Sequence, residues 1–264
     1  MIGKILDEAK LSPEESVLEV GPGIGTLSSA LLAHACGVVA IEKDSALEEI
    51  LAYSLRDEGY GSRFHLVLKD ALAFSHDELC AICTECALPL PKKFVANLPY
   101  QVAATLVLQY FQEFPELDDA VVMVQREVGE RMSAHAHTKA YGAYTAKLAL
   151  FAESVHHFDV HPSNFLPAPH VMSQVIHLKR LHPAKKLCRE DELPLVCRVI
   201  DASFAQRRKT ICNSLQSIGC TKMELQTALG NLGIDARTRA EDLEPAQFVE
   251  LTRALISQGV FADD

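Results

Sequence analysis

An apolar run, Val17-Leu-Glu-Val20, passes directly into Gly21-Pro-Gly-Ile-Gly25 and then into the helical pattern of Thr26 to His34. A strand that ends in closely spaced glycines and restarts as a helix leaves few folds open. The glycines permit a sharp turn and the close approach of a ligand to the backbone, and the helix start presents unpaired amides. Such a unit needs neighbours to bury its strand, and the chain supplies them. Short β-rich apolar runs recur at Val38 to Ile41, Phe64 to Leu68, Phe94 to Ala96, Ala120 to Val124 and Val175 to Leu178, with helical patterns between several, such as Val102 to Phe111. This alternation predicts an α/β fold in which helices cover a mainly parallel sheet.

The strand signal stops after Arg180. Leu193 to Ser217, Met223 to Leu229 and Pro245 to Gln258 read as helices, which predicts a sheet domain over residues 1–181 and a small all-α domain over residues 182–264. Met1 to Leu11 reads as an amphipathic helix with Ile2, Ile5, Leu6 and Ala9 on one side, unlike a secretory signal. Apolar stretches such as Leu148 to Phe151 are short of the roughly 20 residues that a bilayer span needs, so a cytoplasmic protein without a membrane partner is expected. The net charge of −10 argues against non-specific nucleic-acid binding by the whole surface. It is unevenly spread: residues 1–179 hold 13 Lys/Arg against 23 Asp/Glu, and residues 180–264 hold 12 of each. The later part is therefore free to carry a local basic face.

With no signal segment, the eight cysteines read as thiols. Cys80-x-x-Cys83-x-x-Cys86 has the spacing of the first three ligands of an iron–sulfur run, but Leu90 stands where the fourth cysteine belongs. No metal is expected there, and His135-x-His137 reads as a polar loop.

The glycine loop lacks the third glycine of a dinucleotide fingerprint at its expected place, which Thr26 occupies. The spacing Glu19-x-Gly21-x-Gly23-x-Gly25 instead resembles the S-adenosylmethionine loop of class I methyltransferases. The second strand ends in Glu42, placed to accept both ribose hydroxyls, and the third ends in Lys69-Asp70-Ala71, with Asp70 placed for an adenine amine. Lys43 and Ala71 join this cofactor set as neighbours of the two acids. Strand-end acids also commonly cap the next helix.

Val95-Ala-Asn-Leu-Pro-Tyr100 ends the fourth strand. An adenine N6 is a poor nucleophile because its lone pair is delocalised into the ring. Acceptors facing its protons pull it toward tetrahedral shape and aim the lone pair. Asn97 offers a side-chain carbonyl for this, Pro99 restricts Leu98 so that its carbonyl can face the same point, and Tyr100 offers a stacking face for a flipped base. An Asn-x-Pro turn is also an ordinary connection. Its place in a cofactor-binding sheet favours the catalytic reading.

These residues, together with Val124-Gln-Arg-Glu-Val-Gly-Glu-Arg131, Pro162-Ser-Asn-Phe-Leu-Pro-Ala-Pro169, Phe204-Ala-Gln-Arg-Arg-Lys-Thr210 and Gly233-Ile-Asp-Ala-Arg-Thr-Arg-Ala-Glu241, strongly resemble the KsgA-type small-subunit rRNA adenine N6,N6-dimethyltransferases. The resemblance spans essentially the whole chain. It implies a seven-stranded class I methyltransferase domain with Rossmann-like topology and a small helical domain. The implied activity is S-adenosylmethionine-dependent dimethylation of two adjacent adenosines in the 3′-terminal hairpin of 16S rRNA. The implied substrate is a pre-assembled 30S small ribosomal subunit, and the enzyme is expected to be a monomer. Carried over by position, Gly21, Glu42, Asp70 and Asn97 contact the cofactor, Asn97 and Leu98 hold the amine, and Tyr100 and Phe165 sandwich the base. Arg207, Arg208 and Lys209 are implied to lie on a helix near rRNA phosphates. Three consecutive helical residues cannot all point one way, so at least one would serve structure.

The chain departs from the family in three places. The family's opening segment with Gly-Gln-x-Phe-Leu falls before Met1, so either an upstream start or a weakened site is expected. Pro167-Ala-Pro-His-Val-Met-Ser173 replaces a pattern with a lysine and an aspartate, and Tyr141-Gly-Ala-Tyr-Thr145 replaces one with an arginine. Two other readings compete. An Erm-type large-subunit rRNA methyltransferase is disfavoured by Leu98 and by the segment Phe204 to Thr210. A non-catalytic ribosome-assembly factor has no need of the Asn97, Pro99 and Tyr100 set that polarises an amine.

Overall fold

Strands buried on both faces must be apolar on both faces, and the continuous apolar runs take that place. A computed structural model of the chain describes residues 1–165, 168, 170–206 and 208–261. The strands are β1 (Ser16–Val20), β2 (Gly37–Glu42), β3 (Phe64–Leu68), β4 (Lys93–Asn97), β5 (Asp119–Gln125), β6 (Ala152–Val160) and β7 (Ser173–Arg180). They form one seven-stranded sheet in the order β3-β2-β1-β4-β5-β7-β6. β1 to β5 pair in parallel and β7 runs antiparallel to β5. Every residue of β1 and β2 is buried.

The helices are α1 (Ile2–Ala9), α2 (Thr26–Leu32), α3 (Glu48–Ser54), α4 (His76–Glu85), α5 (Ala103–Glu113), α6 (Arg126–Met132), α7 (Ala143–Leu148), α8 (Leu193–Phe204), α9 (Ile211–Ser214), α10 (Lys222–Asn231) and α11 (Pro245–Ser257). In α1, Ile5 and Ala9 are buried, and Ile2 and Leu6 pack against the same core cluster as Leu31, Val38 and Val95. The apolar face read from sequence is the face that docks. No helix among the described residues is long and apolar enough to cross a membrane.

β6 carries no apolar run, and the sequence does not announce it. It is an edge strand with Ala152 and Val160 buried and most residues between them exposed, among them Glu153, His156 and His157. Polar and charged side chains suit an edge, where one side of the ladder is unpaired.

The chain divides into two compact units: Met1–Gly129 with Glu153–Arg180, and Glu130–Ala152 with the chain from Leu181 onward. A single cut at 181 therefore needs correction, because residues 130–152 belong with the helices. Their side chains explain it. Tyr141, Ala146 and Leu150 share a core cluster with Val199, Phe248 and Leu251, and the buried Tyr141 hydroxyl donates to the Leu243 carbonyl at 2.8 Å. Lys147 pairs with Asp201 at 2.7 Å.

The helix expected over Leu193 to Ser217 is also interrupted. After Phe204 the chain turns, with Lys209 N–H donating to the Gln206 carbonyl at 2.9 Å and Ile211 N–H to the Thr238 carbonyl at 3.0 Å. That last amide is taken by a distant segment of the chain.

All eight cysteines are free thiols. Cys80 and Cys83 lie on α4 and Cys86 caps it. Cys86 Sγ lies 3.2 Å from His65 Nδ1, and Cys80 Sγ lies 3.5 Å from His76 Nε2. Burial pushes the Cys83 thiol up to about 11.

Candidate active site

β1 sits between β2 and β4, so chain connections leave it in opposite directions. In an open α/β sheet this switch point leaves a crevice beyond the carboxyl ends of the two strands. Gly21 follows β1 and Asn97 ends β4, one on each side of it.

Gly21 has φ +68° and its N–H donates to the Ile41 carbonyl at 2.9 Å. A Cβ at Gly21 would stand 3.5 Å from Pro99 Cδ and 3.9 Å from the Asn97 carbonyl oxygen. The glycine loop and the Asn97–Tyr100 turn thus pack directly on each other. Gly25 caps α2 with φ +88°, and a Cβ there would lie 3.2 Å from Leu51 Cδ2. Gly23 also has positive φ, and no heavy atom lies within 4 Å of its Cβ position.

Glu19 is fully buried beneath this loop. Ser28 Oγ donates to its Oε2 at 2.7 Å. Burial pushes the Glu19 carboxyl up to about 8, with the nearby Glu42 charge adding to the rise against the Ser28 hydrogen bond. Glu42 lies at the end of β2, and its Oε1 accepts the N–H groups of Lys43 at 2.8 Å and Asp44 at 2.9 Å. One oxygen is thereby fixed by backbone, and the carboxylate is oriented before any ligand arrives.

Asp70 follows β3. Its Oδ1 accepts the Leu72 N–H at 3.0 Å and its Oδ2 meets Lys43 Nζ at 2.8 Å. The Lys43 ammonium, helped by the Leu72 amide, holds the Asp70 carboxyl below the usual range. Ala71 contributes its carbonyl to the buried Tyr110 hydroxyl at 3.2 Å. Asp70 also caps the short turn Ala71–Ala73 through its bond to Leu72, as the sequence allowed, whereas the cap of the turn after β2 is Asp44 and not Glu42.

At the end of β4, Asn97 is exposed and Leu98 is buried, with Leu98 N–H donating to the Met123 carbonyl at 3.0 Å. The Pro99 carbonyl accepts Val102 and Ala103 N–H, each at 3.2 Å, which starts α5. The Tyr100 hydroxyl lies 2.8 Å from Ser173 Oγ. Phe165 follows the turn Pro162–Asn164 and packs partly buried against the cluster containing Val160 and Val175. No ring contact joins Tyr100 and Phe165 among the described residues.

The basic triplet needs correction. Arg208 and Lys209 are exposed in the turn between α8 and α9, in the helical unit, and not on a helix. Arg207 lies outside the described residues. Sequence reading also left out two side chains that touch the site residues, Ser28 and Ser173. Ser28 stands in the first turn after the glycine loop, a position that signals it. Ser173 closes a motif noted for its departures and carries no local signal of its contact.

An exposed carboxamide and a tyrosine ring therefore share one end of the sheet with a glycine loop and two oriented carboxylates. The profile of the family described as Ribosomal RNA adenine dimethylase matches residues 1–257. Over 253 residues the chain is 39% identical to the protein named Ribosomal RNA small subunit methyltransferase A of Thermobifida fusca (strain YX), covering 95% of this chain and 84% of that protein. It is 38% identical over 261 residues to the protein of the same name from Geobacillus thermodenitrificans (strain NG80-2), covering 97% and 86%. Among solved structures, a dimethyladenosine transferase from Plasmodium falciparum superposes with TM-score 0.79 at 23% identity, covering 98% of this chain and 96% of that one. The 23S rRNA methyltransferase ErmE superposes with TM-score 0.67 at 24% identity, covering 97% and 96%. These two likenesses are ones of fold. On the family match and the relatives' identity, the chain belongs to the ribosomal RNA adenine dimethylase family.

Proposed function

We propose that the chain dimethylates the N6 amines of two adjacent adenosines in the 3′-terminal hairpin of 16S rRNA, using S-adenosylmethionine. The substrate is the small ribosomal subunit in its pre-assembled 30S form, met in the cytoplasm by a monomeric enzyme. As a family member, the chain is an rRNA adenine methyltransferase, and this reading stands above that of a large-subunit enzyme or a non-catalytic assembly factor. The observation that carries the site assignment is the packing of Pro99 against Gly21, which sets an amine-gripping turn beside a cofactor loop.

The residues present fit the cofactor. A side chain at Gly21 would project toward Pro99 and Asn97, so the glycine keeps that approach open. Gly21, Gly23 and Gly25 would hold the methionine part with Glu19 beneath them, Glu42 the ribose, and Asp70 with Lys43 and Ala71 the adenine. When bound, S-adenosylmethionine supplies a methyl group on a cationic sulfur that needs no further activation. The work left to the chain is to place and shape the attacking amine. The Asn97 carboxamide oxygen and the Leu98 carbonyl accept its two protons, which localises the lone pair. Tyr100 and Phe165 hold the flipped base by its faces. Pro99 keeps Leu98 extended, so that its carbonyl stays aimed. Arg208 and Lys209 contact phosphates from the turn between α8 and α9, and Arg207 is assigned to the same phosphate contact by sequence alone.

The test is transfer of labelled methyl to undermethylated small subunits by this chain and by Asn97→Ala. Dimethyladenosine that disappears in the variant supports the enzyme and its amine grip. Binding to the subunit without incorporation by the parent chain would return the reading to an assembly factor.

A further inference from the structure

The hydroxyl of Tyr100 and Oγ of Ser173 lie 2.8 Å apart, across 73 residues of chain. Ser173 is fully buried at the start of β7, opposite Gln125 in the antiparallel ladder with β5. Tyr100 is half-buried. Stacking on a base uses the face of a ring, and a phenyl ring supplies that face equally well. The phenol oxygen therefore has a different job here, and its partner shows which.

Tyr100 is held at both ends. On the backbone side, the Leu98 N–H bonds to the Met123 carbonyl of β5, and the Pro99 carbonyl takes the first amides leading into α5. On the far side, the hydroxyl is tied to β7. A ring fixed at its Cα end and at its oxygen has one orientation left, so its face is set before a base arrives. β7 is also the strand that follows Phe165 in the chain, so the tie anchors Tyr100 to the element next to the other half of the base grip.

We infer that Ser173 is a positioning residue for the transfer, holding the Tyr100 ring at the angle that receives the target adenine. This rests on the reading of Tyr100 as the base platform. Ser173 touches neither the base nor the cofactor in this role and acts only through Tyr100.

The experiment compares the full chain with Ser173→Ala, Tyr100→Phe, their combination, and Tyr100→Ala. The substrate is undermethylated small subunits, and the readouts are kcat, KM for the subunit, cofactor Kd and unfolding temperature. Ser173→Ala and Tyr100→Phe each remove one partner of a single hydrogen bond. Each is expected to lower kcat/KM for the subunit about fivefold, the size expected of one such bond. The combination should fall no further than either alone, because both variants break the same contact. Cofactor Kd stays at the parent value and the unfolding temperature falls by no more than the few degrees that one hydrogen bond is worth, whereas general loosening would move cofactor Kd together with KM.

A parent-like kcat/KM in Ser173→Ala, or losses that multiply in the combination, overturns the inference. Should Ser173→Ala fail to fold, Tyr100→Phe decides: parent-like kcat/KM overturns it, and a fivefold loss with unchanged cofactor Kd supports it. Tyr100→Ala separates the two levels. Full activity there overturns the base-platform reading itself, while a large loss beside unaffected Ser173→Ala and Tyr100→Phe overturns the positioning role alone.

Discussion

Ser28 and Glu19 meet in the core beneath the glycine loop, where the Ser28 hydroxyl donates a 2.7 Å hydrogen bond to Oε2 of Glu19 and both residues are fully buried. Burial raises the Glu19 carboxyl from 4.5 to about 8, so it carries a proton at neutral pH. A group whose folded value lies above its unfolded one contributes stability that is complete below the unfolded value. That contribution is lost as pH rises through the folded value. The window here runs from 4.5 to about 8, and a shift of this size is worth on the order of a few kcal/mol. Glu19→Gln is neutral at every pH and keeps an acceptor for Ser28. Its unfolding temperature should gain on that of the parent steadily as pH rises through this window, followed by calorimetry. A pH-independent difference between the two would contradict a protonated Glu19.

Asp70 should behave in the opposite sense. The Lys43 ammonium at 2.8 Å depresses its carboxyl, so the group stays ionised below the usual carboxylate range. Cofactor binding measured by titration calorimetry should therefore survive mild acid. In Lys43→Met the acid limb of the affinity profile should move up in pH toward the ordinary range. Asp70→Ala should weaken cofactor binding about tenfold at neutral pH, as expected for loss of one hydrogen bond to a charged group. An unchanged Kd would remove Asp70 from the adenine site.

Asn97→Ala should lower single-turnover methyl transfer by about 100-fold at saturating cofactor, because one of two acceptors shaping the amine is gone. Asn97→Asp offers an oxygen on the same scaffold and should lose less. Equal losses in both would favour a structural role for the side chain.

Gly25 and Gly23 provide an internal control on the loop. Both have positive φ, but a Cβ at Gly25 would press on Leu51 at 3.2 Å, while the space at Gly23 is open. Gly23→Ala should cost about 1–2 kcal/mol for its left-handed backbone, and Gly25→Ala more, because Leu51 must also shift. Denaturant midpoints of the two variants test the order.

The acidity of the early part of the chain yields a prediction about substrate. Residues 1–179 hold 23 acidic against 13 basic side chains, so productive binding should need the shape of the assembled subunit. Methylation of naked rRNA at the rate seen with subunits would contradict this.

Much of the sheet and the cofactor loop was legible in the residues themselves. β1 and β2 are buried on both faces, and a strand in that position is mostly apolar, so Val17, Leu18 and Val20 in β1 and Val38 to Ile41 in β2 announce it, with Glu19 the buried exception. The clustered glycines announce a loop because positive φ is cheap only for glycine. Glu42, Asp70 and Asn97 were legible as strand ends once the strands were placed.

Local pattern carries burial and backbone freedom, and it is silent about which distant segments meet. β6 was missed because an exposed edge strand needs no apolar run. Residues 130–152 were misassigned because only the folded chain brings Tyr141 to Leu243. Between Phe204 and Ile211 the chain leaves the helix and Thr238 takes the Ile211 amide, a contact that no local pattern reports. The contacts that make the site, Gly21 with Pro99 and Tyr100 with Ser173, follow from placing β4 beside β1 and β7 beside β5. By itself the sequence determined which residues are apolar, which can turn and which carry chemistry. Strand order is settled by packing over the whole sheet, and so only the tertiary structure decided which of those residues face one another.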